Sequence, residues 1–329
     1  MQHLDLRASV HTRLSWDYTP RVPRLGSLSR RGRDGQWDAE ADIDWSAPVP
    51  FGAPLADGTD FARASFEASP MAGRGRPMWD TFRWELQAWL VSQFLHGEQA
   101  ALVVAARLVE SLPTVEAKLC AASQATDEAR HVEVFARYLR ENVPDPYPVN
   151  ADLRELLEDV LGDSRWDVTA LGMQIMVEAL AMAAFRLAGT TFHDALIRRI
   201  TTLVARDEAR HVSFGVVSLE EVYRELSSTE LADREELVLD AASLMRRRFL
   251  LSDVWERLDV DRDAGVAYAA ADPAMVLYRQ TVFARVVSAL VRIGLMTDRV
   301  RQGLGDLDLL SYGVVPRRLS RRDDRLRRA

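Results

Sequence analysis

Six residues of this chain have the types and the spacing of a metal-ligand set. Glu128 and His131 stand three apart, as do Glu208 and His211, within two copies of the hexapeptide DEARHV that begin at Asp127 and Asp207. Glu98 lies thirty residues before Glu128, and Glu178 lies thirty before Glu208. Both are single carboxylates in otherwise apolar stretches, FLHGEQAALVV and QIMVEALAMAA. The pattern is therefore Glu, thirty residues, Glu-x-x-His, written twice with an offset of eighty and no insertion. Residues three apart share one helix face, with Cβ atoms about 5–6 Å from each other. Thirty residues allow roughly four turns up, a connection and four turns back. Two such hairpins packed antiparallel bring four carboxylates and two imidazoles together. Burying that many bare carboxylates costs several kcal/mol each, at the order of magnitude of an uncompensated ion. Two divalent ions cancel the four charges, and mixed carboxylate and imidazole donors suit iron or manganese better than structural zinc.

The elements that must position these residues read as helices. One is expected from about Met78 to Leu112 and a second over Thr114–Glu141, with Pro113 in its first turn. NVPDPYPVN is a loop, since three prolines in nine residues cannot stay helical. ADLRELLEDVLGD is a short amphipathic helix. A third bundle helix is expected over Trp166–Leu187, ended by Gly189, and a fourth over Phe192–Leu226. Further helices are expected over 229–260 and 273–300, with ADP at 271–273 as the start signal of the last. No run reads as a strand, so the class is all-α. The division expected is an extended N-terminal arm over 1–78, the metal-binding core over 79–228, additional helices over 229–310 and an Arg-rich tail over 311–329. Trp37 and Trp45 would anchor the arm to the body, and the tail reads as solvated.

Composition narrows the function. A net charge of −7 makes nucleic acid an unexpected partner. One cysteine, Cys120, excludes an internal disulfide, and a cytoplasmic protein is the simplest reading. The N-terminus has no continuous apolar run of the signal-peptide kind. The nearest candidate for a membrane span, Val168 to Phe185, carries Glu178 near its middle, so no membrane segment is expected.

At these ligand positions the chain resembles the ferritin-like superfamily of diiron carboxylate proteins. The D-E-x-R-H form is similar to the oxygenase branch, which holds bacterial multicomponent monooxygenase hydroxylases and ribonucleotide reductase small subunits. A Glu from each of two helices plus Glu-x-x-His from the other two is the ligand set of such bundles. The resemblance covers about residues 79–225 and implies a ferritin-like four-helix bundle. It implies outer-sphere roles for Asp127 and Asp207, each hydrogen-bonding a ligand histidine, with Arg130 and Arg210 pairing with the aspartates or with neighbouring helices. It also has departures. The radical tyrosine of the reductases is replaced by Phe135, with Tyr138 three residues on. The threonine of many hydroxylases is absent, Ala181 and Met182 standing in its place. The arylamine N-oxygenases carry a further histidine four residues before the last ligand Glu. Val204 stands there, so the chain is not assigned to that group.

The function expected is a non-haem diiron oxygenase, with two Fe ions, or Mn or a mixed Fe/Mn pair, and O2 as co-substrate. It would hydroxylate or N-oxygenate a small organic molecule. Gly97, Ala101, Leu102, Ala105, Ala181, Met182 and Phe185 lie within one or two turns of the ligands and would leave an apolar pocket. No Gly-rich dinucleotide fingerprint is present, so electrons are expected from a separate ferredoxin or flavin reductase. A homodimer is the expected assembly. The alternatives are an iron-handling ferroxidase and an oxidase or desaturase of the reductase-subunit type.

Overall fold

A computed structural model describes residues 5–310, apart from residues 15, 17 and 20. The Arg-rich tail expected over 311–329 lies outside the described residues. Among them no strand occurs, and four long helical segments make the body. Helix α3 (Arg76–Ser111) pairs with α4 (Val115–Asn142), and α7 (Glu178–Thr191) pairs with α8 (Ala195–Glu225). The two hairpins meet through α4 and α8.

Local chemistry sets these helices. Gly75, at φ 78°, ends the preceding turn, and Pro77 sits in the first turn of α3. The Thr114 hydroxyl accepts the Ala117 N–H at the start of α4, so Pro113 precedes the cap instead of entering the first turn as expected. Asp194 caps α8 by accepting from Ile197 N at 2.9 Å. The segment before α7 is not one α-helix. It runs α6 (Trp166–Ala170), then a π-helical stretch Leu171–Val177, then α7. Gly189 does not stop α7, which continues to Thr191. A Cβ there would lie 2.8 Å from Thr202 Oγ1, so the glycine serves the close approach of α7 to α8.

The core beside the ligands is aromatic. Phe94 packs edge-on against Phe185 at 4.6 Å between ring centres, and Phe135 stacks on Phe185 at 5.7 Å. Each fully buried Phe contributes roughly 1.5–3 kcal/mol. Phe94 stands four residues before Glu98, and Phe135 four after His131, so this layer underpins the level of the ligands.

The N-terminal arm is less extended than its composition suggests. It holds α1 (Pro23–Asp34) and α2 (Asp60–Ala68). In α1 the buried residues Leu25, Leu28, Ser29 and Gly32 fall at helical spacing, hidden in the sequence among arginines. Helix α1 lies across α4 and α8, and Trp37 beyond it is buried, so the tryptophan anchor is present. The remaining helices are α5 (Ala151–Gly162), α9 (Ser228–Arg248), α10 (Ser252–Arg257), α11 (Arg262–Ala271), α12 (Pro273–Ile293) and α13 (Asp298–Asp306). The stretch expected as one helix over 229–260 breaks at Leu251, which takes φ 62°. Helix α12 starts as the ADP signal predicts, with Asp272 accepting from Ala274 N and Met275 N. Two described segments are long and apolar enough to cross a membrane. The more apolar, Trp166–Thr191, is 94% buried and forms the bundle core.

Candidate metal centre

The six sequence-predicted ligands converge. Glu98 and Glu178 come from α3 and α7, and the two Glu-x-x-His pairs come from α4 and α8. Their ligand atoms form two groups, each within 4.8 Å of one another: Glu98, Glu128, His131 and Glu208, and Glu128, Glu178, Glu208 and His211. Glu128 and Glu208 belong to both groups, so they stand where bridging carboxylates would stand. Glu98 with His131, and Glu178 with His211, occupy the two ends. All six are buried.

The imidazoles point their Nδ1 atoms inward. His131 Nδ1 lies 3.0 Å from Glu98 Oε2 and 3.2 Å from Glu128 Oε2. His211 Nδ1 lies 3.0 Å from Glu128 Oε1. The outer nitrogens are held crosswise, each by the aspartate of the other half. His131 Nε2 is 3.2 Å from Asp207 Oδ2, and His211 Nε2 is 3.1 Å from Asp127 Oδ2. A carboxylate on Nε2 keeps the proton there and leaves Nδ1 free as a donor to metal. Arg130 donates to Asp127 at 2.7 Å and to Asp207 at 3.0 Å. Arg210 donates to Asp207 at 2.8 Å and to Asp127 at 3.0 Å. Two aspartates and two arginines thus form a closed, charge-balanced ring behind the histidines.

The electrostatics of the bare cluster explain why it needs cations. Burial drives the Glu98 carboxyl well above the usual range, and the nearby Glu208 and Glu128 charges add to it. Burial does the same to Glu178, again reinforced by Glu208 and Glu128. Burial also opposes charge on Glu128, but His211 and His131 outweigh it and hold that carboxyl well below the usual range. Burial disfavours the His131 cation, yet its hydrogen bonds to Asp207 and the glutamates raise it well above the usual imidazole value. His211 behaves likewise through Glu208 and Glu128. Without metal, protons must stand in for positive ions. Several buried donor atoms lack hydrogen-bond geometry altogether: Glu178 Oε2, both Glu208 oxygens and His211 Nδ1. Orphaned oxygens and one ring nitrogen facing a common space fit a pair of iron or manganese ions.

Three neighbours of the site were not expected from the sequence. Gln124, one turn before Glu128, donates to Glu178 Oε1 at 2.8 Å and to Glu128 Oε1 at 3.2 Å. Its spacing of four from Glu128 is the signal that could have found it. Gln174 in the π-helical stretch donates to Gln124 Oε1 at 2.8 Å. Trp37 donates its indole N–H to Asp207 Oδ2 at 2.7 Å, and the Arg130 guanidinium lies 4.5 Å over its ring. No local pattern could announce Trp37, because it is ninety residues from the nearest histidine motif.

A small cavity of about 30 Å³ adjoins the glutamates. Gly97, Ala101, Ala181 and Phe185 line it as expected, together with Phe94, Met245, Arg248 and Phe249. Leu102, Ala105 and Met182, also expected there, do not. The reason is helical phase. Leu102 and Met182 each stand four residues after a ligand Glu, about 40° past it on the wheel, while the cavity opens on the opposite side. Ala105 lies two turns beyond Glu98 and is packed into the core. Gln99 is exposed, and His96 bonds the Tyr147 carbonyl, so neither joins the site.

The comparisons with known proteins accord with this geometry. Among solved structures the chain is similar to R2-like ligand-binding oxidases. One single-site variant with an anaerobically reconstituted Mn/Fe cofactor is 19% identical and covers 84% of this chain and 93% of its own, with a TM-score of 0.51. A second such variant is 18% identical, covering 86% and 96%, with a TM-score of 0.47. These likenesses concern the fold. No curated protein matches in sequence. The model of the family described as p-aminobenzoate N-oxygenase AurF matches residues 21–294. That match overturns the inference drawn from Val204, which withheld the chain from the arylamine N-oxygenases. Residue 204 is one position, whereas the match runs through the arm, both hairpins and most of the helices beyond. The chain belongs to the AurF N-oxygenase family.

Proposed function

We propose that this oxygenase inserts oxygen into a small organic substrate with an apolar body, at nitrogen or at carbon, and draws its electrons from a separate protein. The observation that carries the reading is the paired ligand set, two four-residue groups sharing Glu128 and Glu208, with orphaned donor atoms between them. A pair of iron ions, or of manganese or one of each, would be held by Glu98, Glu128 and His131 at one end and Glu178, Glu208 and His211 at the other. Such a pair supplies the electrons and the binding site that convert O2 into an oxidant.

The chain's own residues do the rest. Asp127 and Asp207 orient the imidazoles, and the Arg130 and Arg210 ring keeps those aspartates ionised and in place. Trp37 and the arm close the histidine side to water. Phe94, Phe185 and Ala181 make the opposite wall apolar, which favours a hydrophobic substrate and protects the oxidant. Ala181 and Met182 offer no hydroxyl, so proton delivery falls to water or to a ligand carboxyl. An arylamine is the first substrate to try, since the family's named member is a p-aminobenzoate N-oxygenase. The electron donor would be a ferredoxin or flavin reductase, the assembly a homodimer and the compartment the cytoplasm.

The test is an anaerobic Fe(II) titration of metal-free protein followed by O2 uptake. Saturation at two Fe per chain, with uptake that stops unless reductant is added, is the expected result. Mass spectrometry should then find an oxygenated arylamine when reductant is present. Iron oxidation continuing far beyond two per chain would replace this reading with a ferroxidase.

A further inference from the structure

Three arginines of the C-terminal half are buried in the protein, and two of them are satisfied. Arg234 pairs with Asp167 at 2.7 Å. Arg279 donates to the carbonyls of Ala269 and Ala270. Arg248 is different. It is the last residue of α9, it is 5% exposed, and among the described residues no carboxylate lies within ion-pair distance of it. Its one hydrogen bond runs to the Met245 sulfur at 3.7 Å, and its Nε has no partner. Burial pulls its pKa down to about 10, which still leaves a cation at neutral pH. An unpaired buried guanidinium is costly, so a protein that keeps one gains something from it.

Its position shows what it faces. Arg248 lines the same small cavity as Glu98, Glu178 and Glu208. Aromatic rings flank the guanidinium, Trp89 at 5.5 Å and Phe249 at 5.4 Å, and leave its hydrogen-bonding edge unused. The cavity takes only one or two waters at about 30 Å³. Phe249 separates it from an apolar chamber of about 260 Å³ that is walled by Trp79, Phe82, Trp89 and Tyr278. Turning the Phe249 ring joins the two spaces.

We propose that Arg248 is the anion anchor of the substrate site, and that the substrate is a flat, apolar molecule carrying a carboxylate. The guanidinium fork takes the two carboxylate oxygens in parallel hydrogen bonds. The ring of the ligand then lies among Phe94, Phe185 and Phe249, between Arg248 and the glutamate cluster. The acid end fixes which part of the molecule meets the metal side. Arg248 is here a specificity and positioning residue, and the proposal rests on the reading of the cluster as the oxidising centre.

The experiment uses the metal-loaded full chain and measures binding by calorimetry. The probes are benzoate and 4-aminobenzoate, with benzamide and 4-aminobenzamide as neutral counterparts of the same shape. The acids should bind about 10- to 100-fold more tightly than the amides, the range of one charge-assisted pair. R248M should erase that preference while raising the Tm, because it replaces an unpaired buried cation with an apolar side chain of similar length. R248K should keep part of the preference. The proposal is overturned if neither acid binds the wild type, if amides bind as well as acids, or if R248M binds the acids undiminished. Undiminished binding that vanishes on metal removal would assign the carboxylate to the metal instead. Wild-type iron stoichiometry and O2 uptake without ligand test the oxygenase reading separately, so the two failures are distinguishable.

Discussion

The two halves of the metal site are written with the same letters but held in different surroundings. In the first hairpin, the position one turn before the Glu-x-x-His glutamate is Gln124, whose amide reaches Glu128 and Glu178. In the second it is Val204, fully buried and unable to donate or accept. Asp207 is fixed by the Trp37 indole, while Asp127 receives the Gln36 amide at 2.8 Å. The π-helical stretch precedes Glu178 and has no counterpart before Glu98. Both oxygens of Glu208 are orphaned, whereas those of Glu128 have partners. A repeated ligand set therefore need not make two equivalent ion sites. The polar half is better fixed before metal arrives, and the half around Glu208 gains more from the ion.

The largest effect should come from the shared carboxylates. Glu128→Ala or Glu208→Ala should abolish binding of both ions, since each belongs to both ligand groups. Glu178→Ala should drop metal content from two per chain toward one or none. Metal analysis of the purified variants checks this, and a Glu178→Ala protein that retains both ions would undo the ligand assignment.

Next in size is the pH dependence of the metal-free protein. Glu98, Glu178, His131 and His211 all hold protons more tightly folded than unfolded. Their stabilising contribution is therefore full below the unfolded values and lost as pH rises through the folded ones. Asp127 and Asp207 run the other way. Burial opposes their charge, but the histidines beside them hold their carboxyls low. Their contribution is present above the usual carboxylate range and lost as pH falls through their folded values. Thermal unfolding of the metal-free chain should show a Tm that declines from mildly acidic toward alkaline pH. Metal loading should remove that decline and release protons. A metal-free Tm that rises over the same span would show that the cluster is not protonated as argued.

The smallest effects sharpen the asymmetry directly. Gln124→Val, which makes the first half like the second, should weaken metal binding about 10-fold, at the low end of losses for a residue that orients ligands. Val204→Ala should leave metal content unchanged and cost about 1 kcal/mol of stability as a modest core truncation. Equal metal affinities for these two variants would mean that the two halves are, after all, equivalent.

Much of this was legible in the sequence because it depends on short-range periodicity. Glu-x-x-His on one helix face, two equal spacings of thirty and the small residues Gly97, Ala101 and Ala181 are properties of a helix and its turn count. They pointed to an all-α bundle with one dinuclear centre. The short helices α1 and α11 escaped notice because arginine and alanine blur their periodicity. The reading of Val204 failed for another reason. One side chain near a metal says little about the family, which is carried by the whole length of the fold.

The sequence by itself determined which residues could be ligands, since charge and spacing along a helix are local properties. Only the tertiary structure decided what surrounds them. The crossing of Asp127 to His211 and of Asp207 to His131 requires the two hairpins to be docked. Trp37 reaches the site only because the arm folds back over α4 and α8, and Arg248 faces the cavity only because α9 closes on its far side. These contacts join residues far apart in the chain, and no periodic pattern encodes them. Packing of distant surfaces, driven by burial of apolar area, chose them.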